Sequence, residues 1–307
     1  MPISAPTDIP NLALWLDAAD LTTLWQEIAG TTPVSADGQA VGKWDDKSGN
    51  GFHLTATADS GVRPVYNTDG DGPRVTFDGT DAVLRRTADL GLYAAGAASL
   101  FVRLRANPGG VFATFDSSGN TADGDVLYSL MVADNPTVAN ATAAIRNTAN
   151  TNLFTIGTDL QAGAFDNTDH VYGVIDDGSS LTPWLDGVEG SPVGYTRSGS
   201  VASDIFGIGA LVRATIANYF ATRLYGLAAY TRALDDTEAA DISDWLVNGP
   251  GGGAPEPASR RGAGGMNRMT GGMQARRRNS GLYVPERRVV VPGWQAPKRQ
   301  PMRLEMR

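Results

Sequence analysis

Glycosidic hydrolysis on a β-sheet scaffold needs two carboxylates facing each other across one surface, glutamates above all. The chain has six, Glu27, Glu189, Glu238, Glu256, Glu286 and Glu305, and none lies in a strand-like segment with a second carboxylate two residues away. Aspartate is far more abundant, at 27 residues, and Asp123 with Asp125 has the right spacing, but Asp beside Gly is the composition of a turn. Retaining-glycosidase chemistry is disfavoured. The histidines, His53 and His170, begin strand-like segments far apart, with no Gly-x-Ser-x-Gly motif to supply a nucleophile. Both read as ordinary edge or surface histidines. With no cysteine, the chain has no disulfides, thiolate nucleophiles or thiolate zinc sites.

Binding chemistry fares better. Asp-rich loops supply the hard oxygens that hold calcium, and Asp116, Asp123, Asp125, Asp134 and Asp176 are the candidate ligands of one structural ion, with no set singled out. The run Asp69-Gly-Asp-Gly lacks the third carboxylate and the distal Glu of a calcium loop, and reads better as a hairpin turn. No other cofactor is implied.

Charge divides the chain in two. Residues 1–249 carry 30 acidic against 13 basic side chains, a net −17, whereas residues 250–307 carry 3 against 12, a net +9. The first part repels phosphate backbones and anionic lipid; the second seeks an acidic partner. Arg276-Arg277-Arg278, Arg287-Arg288 and Lys298-Arg299 are interleaved with Tyr283, Val289-Val290-Val291 and Trp294. Such a segment could neutralise phosphates, but protein docking is favoured over nucleic acid. Val290 and its neighbours would add a strand to an open sheet edge, with Tyr283 and Trp294 as anchors. No stretch of about 18 apolar residues suggests a membrane span, and the N-terminus lacks the basic start and long apolar run of a secretion signal.

The elements that must position these residues are short. Up to Asn248, apolar runs of strand length recur: Leu12 to Leu16, Arg74 to Phe77, Ala82 to Leu84, Ser99 to Leu104, Val111 to Phe115, Val126 to Val132, Val171 to Ile175, Asp204 to Ile208 and Leu224 to Tyr230. Between them stand Asp-Gly and Asn-Gly turn dipeptides, so an all-β sandwich is expected. In Leu100 to Arg105, Leu100, Val102 and Leu104 share the core face while Phe101 is expected on a half-exposed face with Arg103 and Arg105. Gly173 marks either a bulge or a close strand approach. One helix is signalled, with Asp235 as cap, Glu238 reaching back to it, and Ala239, Ile242, Trp245 and Leu246 on its buried side. Asn248-Gly249-Pro250 ends it. The expected organisation is a domain over 1–248, a Gly/Pro linker over 249–259, and a basic tail over 260–307 that docks on a partner.

Several segments carry a family resemblance. They are Leu14-Trp-Leu-Asp-Ala-Ala-Asp, Trp44-Asp-Asp-Lys-Ser-Gly-Asn-Gly, Val75-Thr-Phe-Asp-Gly-Thr-Asp, His170-Val-Tyr-Gly-Val-Ile-Asp-Asp-Gly, Trp184-Leu-Asp-Gly and Tyr225-Gly-Leu-Ala-Ala-Tyr-Thr-Arg-Ala-Leu-Asp-Asp-Thr-Glu. In this order, over about residues 10–248, they resemble the laminin-G-like, concanavalin A-like jelly roll in the version found in bacteriophage and bacterial surface proteins. The resemblance implies two antiparallel sheets packed face to face. It brings no binding residue with it. Because Trp15, Trp44 and Trp184 lie inside these scaffold motifs and Trp245 on the helix face, they read as core, which leaves Trp25 and Tyr195 as the candidate glycan-stacking aromatics.

The function expected from charge and resemblance together is a non-enzymatic structural or adhesion component of a phage or phage-like virion, present in many copies. Its jelly roll would face outward, with the tail anchored on capsid, tail or fibre protein. A host surface glycan is a second possible partner. The alternatives are a free glycan-binding lectin or adhesin, and a polysaccharide hydrolase.

Overall fold

The chain builds two antiparallel sheets whose inner faces meet, because apolar residues alternate along the strands on the side each sheet buries. The structure is a computed structural model; it describes residues 2–59, 61–88, 90–92, 96–106, 113–118, 127–132, 141–146, 152–158, 167–196, 205–212, 216–217 and 219–250, with backbone alone for 106, 113–118, 127–132, 141–146, 152–158 and 211. The basic tail, including Arg276, Arg277, Arg278, Tyr283, Arg287, Arg288, Val290, Trp294, Lys298 and Arg299, lies outside the described residues. No helix among the described residues is long and apolar enough to cross a membrane.

The first sheet runs in the order Val188–Glu189, Ser180–Leu185, Asp169–Asp176, Ala98–Ala106, Ala221–Tyr230, Arg74–Asp78, Val65–Asn67, with Leu12–Asp17 beside the far half of Ala221–Tyr230 and Val193–Gly194 beside Ser180–Leu185. The second runs Asn152–Thr158, Ala141–Arg146, Leu127–Val132, Ala113–Ser118, Phe206–Ile208, Leu84–Arg86, Leu54–Thr55, Lys43–Trp44, Leu24–Trp25. Between them lies the main core, which includes Leu14, Leu16, Trp44, Phe77, Leu100, Val102, Leu104, Tyr172, Phe206 and Leu227.

The helix Asp236–Asn248 forms where the capping residues place it: Asp235 accepts the Glu238 N–H at 2.9 Å, and Glu238 accepts the Asp235 N–H at 3.0 Å. Its apolar side buries Ala239, Ile242, Trp245 and Leu246 on the outer face of the first sheet, in a second cluster with Trp15, Phe101, Val171, Trp184 and Tyr230. Phe101 is therefore fully buried rather than half-exposed: the helix covers that half of the sheet. A Cβ on Gly173 would come within 2.4 Å of the Phe101 ring, so close approach rather than a bulge explains this glycine. The strand expected at Ala82 to Leu84 lies instead at Leu84–Arg86, with Val83 buried outside the main core.

The first two resemblance motifs clasp each other. Asp46 accepts hydrogen bonds from the backbone N–H of Trp15 (3.0 Å), Ser48 (2.8 Å) and Phe52 (3.0 Å), and Asn50 donates to the Leu12 and Ala13 carbonyls at 2.9 Å. Lys47 sits over the Trp15 ring and pairs with Asp17 and Asp20, each at 2.9 Å. Neutralised on both sides, the ammonium closes the first strand onto the 45–52 loop.

Candidate functional site

Two neighbouring strands of the second sheet turn polar residues to the face away from the core. In His53-Leu-Thr-Ala-Thr57 the residues Leu54 and Ala56 enter the core, which turns His53, Thr55 and Thr57 outward. In the next strand Leu84 enters the core and Arg85 and Thr87 face outward, with Arg85 directly opposite Thr55. These side chains, with Ala56 and Arg86, line a cavity of about 300 Å³ on the open face. No carboxylate belongs to the lining.

The row through Arg85 extends across the sheet. Trp25 opposes Lys43, Lys43 opposes Thr55, Thr55 opposes Arg85, and Arg85 opposes Gly207. With strands about 4.8 Å apart, Trp25 stands roughly 14 Å from Arg85 on the same face. Its indole is half-exposed, and its Nε1 donates to Asp45 at 2.6 Å. Lys43 reaches the same carboxylate at 2.8 Å and lies 6.0 Å from the Trp25 ring centroid, so the ring is held at a fixed tilt. His53 Nδ1 lies 3.1 Å from the Asp46 N–H and 3.0 Å from the Asp45 carboxylate, which ties the imidazole to the 45–46 loop.

At the other end of the row the Leu211–Val212 segment folds over the sheet. A Cβ on Gly207 would meet Val212 at 2.4 Å, and Val212 packs with Val83, Ile205 and Ala210 into a small cluster at this end of the row. Arg86 leans the other way, donating to the Gly51 carbonyl at 3.1 Å and covering the Phe52 ring. Arg85 makes no hydrogen bond or ion pair among the described residues. The groove thus offers hydroxyls that both donate and accept, one unengaged guanidinium fork and a nearby aromatic plane, which is equipment for a polyhydroxylated ligand.

The sequence singled out Trp25, and the structure sets it on this face. Tyr195 lies elsewhere, on the first sheet's side, where its hydroxyl donates to Asp176 at 2.6 Å and its ring packs against the main core. Asp176, a candidate calcium ligand, is fully buried and also accepts the Gly178 N–H at 2.8 Å. Asp123, Asp125 and Asp134 lie outside the described residues, as does the side chain of Asp116. Among the described residues no group of three or more His, Cys, Asp or Glu gathers as a metal site. Sequence reasoning read His53 as an ordinary edge or surface histidine and passed over Thr55, Thr57, Arg85 and Thr87, although the alternation in 53–57 placed His53, Thr55 and Thr57 on one face.

Two other polar clusters are built for stability. The Glu27 carboxyl, held down to about 2 chiefly by the Thr31 hydroxyl, closes a turn. On the helix-free half of the first sheet, Arg105 bridges Asp169 (2.7 Å) and Asp71 (3.0 Å), Arg223 reaches Asp71 (2.8 Å), and Arg74 pairs with Asp69 (2.6 Å). The Asp69-Gly-Asp-Gly run is thus an ion-paired turn, its carboxylates taken by arginine. Burial first, and then the Asp169 carboxylate, push the neighbouring Tyr225 phenol up to about 12. Arg103 stacks on the Tyr225 ring and donates to the Leu246 and Val247 carbonyls at the helix end.

No protein-family model matches the chain, and neither does any curated protein. Solved structures do match its fold. The binding domain of Paraclostridial mosquitocidal protein 1 is similar over 80% of this chain and 54% of its own, with a TM-score of 0.54 at 13% identity. The binding domain of botulinum neurotoxin DC in complex with SialylT is similar over 78% and 52%, with a TM-score of 0.51 at 11% identity. The botulinum neurotoxin type G receptor binding domain is similar over 76% and 51%, with a TM-score of 0.50 at 10% identity. The chain spans about half the length of these structures. At such identities the likeness is one of fold, a β-rich sandwich shared with binding domains.

Proposed function

We propose that residues 1–248 form a non-enzymatic saccharide-binding adhesion domain whose site is the open face of the second sheet, from Trp25 to the groove at Arg85. The observation that carries this reading is the placement of a half-exposed indole on the same cross-strand row as a hydroxyl-rich, carboxylate-free cavity. An aromatic plane offers the apolar face of a sugar ring something to stack on, and threonine and arginine bond its hydroxyls. The described glutamates support the non-enzymatic part, since Glu27 and Glu238 are bound up in local turns and caps and Glu189 lies exposed in the strand Val188–Glu189 of the first sheet, away from the cavity lining. The three neighbours in fold are named as binding or receptor-binding domains and one was solved with SialylT, which agrees with this reading without assigning a ligand.

The domain is proposed to be displayed from a phage or phage-like particle. Its +9 tail would lie on an acidic partner protein, and many copies would give avidity to weak saccharide contacts. A glycan array probed with the full chain and with Trp25→Ala tests the saccharide site. Saturable binding to a defined glycan that falls in the variant is the expected result; identical profiles would remove Trp25 and this face from the reading.

A further inference from the structure

The arginines of this protein are nearly all engaged. Among those whose side chains are described, Arg63 donates to the Gln26 carbonyl, Arg86 to the Gly51 carbonyl, and Arg74, Arg103, Arg105, Arg223 and Arg232 each pair with a carboxylate. Arg85 alone of the described set has neither. Acid is not scarce: residues 1–249 carry 30 carboxylates against 13 cations. A half-buried guanidinium left unpaired in so acidic a domain has been kept clear of internal partners: the residues that share its cavity, Thr55, Thr57 and Thr87 among them, carry no negative charge.

We infer that Arg85 is the anion-recognition residue of the groove, and that its ligand is a saccharide bearing a carboxylate, of the uronic or nonulosonic acid class. This rests on the saccharide-binding reading above and adds the ligand's class to it. The planar fork of arginine matches a carboxylate in two parallel hydrogen bonds, and the threonine hydroxyls reach the neighbouring sugar hydroxyls. A cavity of about 300 Å³ is at the small end of ligand sites, which suits one acidic residue of a longer glycan. Nucleic acid, the other common arginine ligand, is a long polyanion and is opposed by the net −17 summed over residues 1–249, whereas a single carboxylate meets only the carboxylate-free lining of the groove.

The test uses the full chain, so that the basic tail is the same in every arm. Calorimetric titration compares oligosaccharides ending in a uronic or nonulosonic acid, the same oligosaccharides with the carboxyl reduced to an alcohol, and sulfated counterparts. The expected result is binding of the acidic form at least about tenfold tighter than the reduced form, with that preference abolished in Arg85→Met and only partly kept in Arg85→Lys. Thermal melting and circular dichroism of both variants confirm that they are folded. Equal affinity for acidic and reduced forms would overturn the inference but leave the saccharide site standing. So would a preference that persists in Arg85→Met, which would place anion recognition elsewhere, or equal binding of the sulfated form, which would make the groove a general anion site. Failure of every saccharide to bind would sink both readings together.

Discussion

Thr55 and Arg85 are cross-strand partners in the second sheet, and both turn away from the core that their neighbours Leu54 and Leu84 fill. One antiparallel pair therefore sets a hydroxyl beside a guanidinium at a spacing of about 5 Å, with no loop needed to aim either. Extending the row by two strands brings in Lys43 and Trp25. A site on sheet residues is rigid before ligand arrives, which limits the ordering cost of binding.

Replacing Trp25 by alanine should weaken saccharide binding by about tenfold, or ~1.4 kcal/mol, by removing the stacking plane. Asp45→Asn should have a smaller effect in the same direction, because it loosens the Trp25 Nε1 and Lys43 contacts that fix the ring. Titration with the best array glycan measures both, and an undiminished affinity for Trp25→Ala would place the sugar elsewhere.

The Asp46 clasp should be worth more to stability than any surface ion pair. Asp46→Ala strands the N–H groups of Trp15, Ser48 and Phe52, at a cost of about 3 kcal/mol and a drop in melting temperature of roughly 6–12 °C. Asp17→Ala should lose less than 1 kcal/mol or so, since Lys47 keeps Asp20. Calorimetry ranks the two, and hydrogen exchange at Trp15 and Phe52 should quicken only in the first.

Gly173→Ala drives a methyl group into the Phe101 ring and the Trp184 Cβ, both packed beneath the helix. Destabilisation by about 1–3 kcal/mol is expected. Adding Phe101→Leu should cost less in the Gly173→Ala background than in the parent, because the smaller side chain relieves the clash. A strictly additive double mutant would show that the backbone, not the ring, carries the strain.

Two neighbouring groups predict opposite pH limits. Burial acts to raise the Asp169 carboxyl, but the contact with Arg105 and the charges of Arg105 and Arg103 override it, and its folded value lies below the ordinary one. That contribution to stability is present above about pH 4 and is lost as pH falls through the folded value, so Asp169→Asn should flatten the acid limb of a melting-temperature profile. Tyr225, raised to about 12, works the other way. Its neutral form is the one the fold favours, so stability falls as pH rises from about 10 through 12, and Tyr225→Phe should remove that loss. Phenolate absorbance of parent and variant identifies the late-titrating group.

Deleting residues 251–307 should leave the melting temperature of the remaining domain unchanged within about 1 °C, since a segment so rich in Gly, Pro and Arg cannot build a core of its own. Recruitment to an acidic partner should be lost with it, and in the full chain should weaken as salt rises. A large destabilisation on truncation would mean that the tail packs on its own domain.

What the sequence determined by itself was local. The capping box at Asp235 and Glu238 set the helix, alternation at Leu100, Val102 and Leu104 set an inner face, and the order of the scaffold motifs pointed to two packed sheets. The cap and the alternation depend on residues within a few positions of one another, and the motif order needs only the linear sequence. The chain also announced half of the groove, in His53-Leu-Thr-Ala-Thr57, without revealing that it was one. Only tertiary structure decided that Arg85 faces Thr55 from thirty residues away and that Trp25 stands on the same row. It alone decided that the helix hides Phe101, and that Asp176 occupies the hydroxyl of Tyr195. Cross-strand register and the covering of one face by a distant element follow from the whole packing of the chain, and no local spacing encodes them.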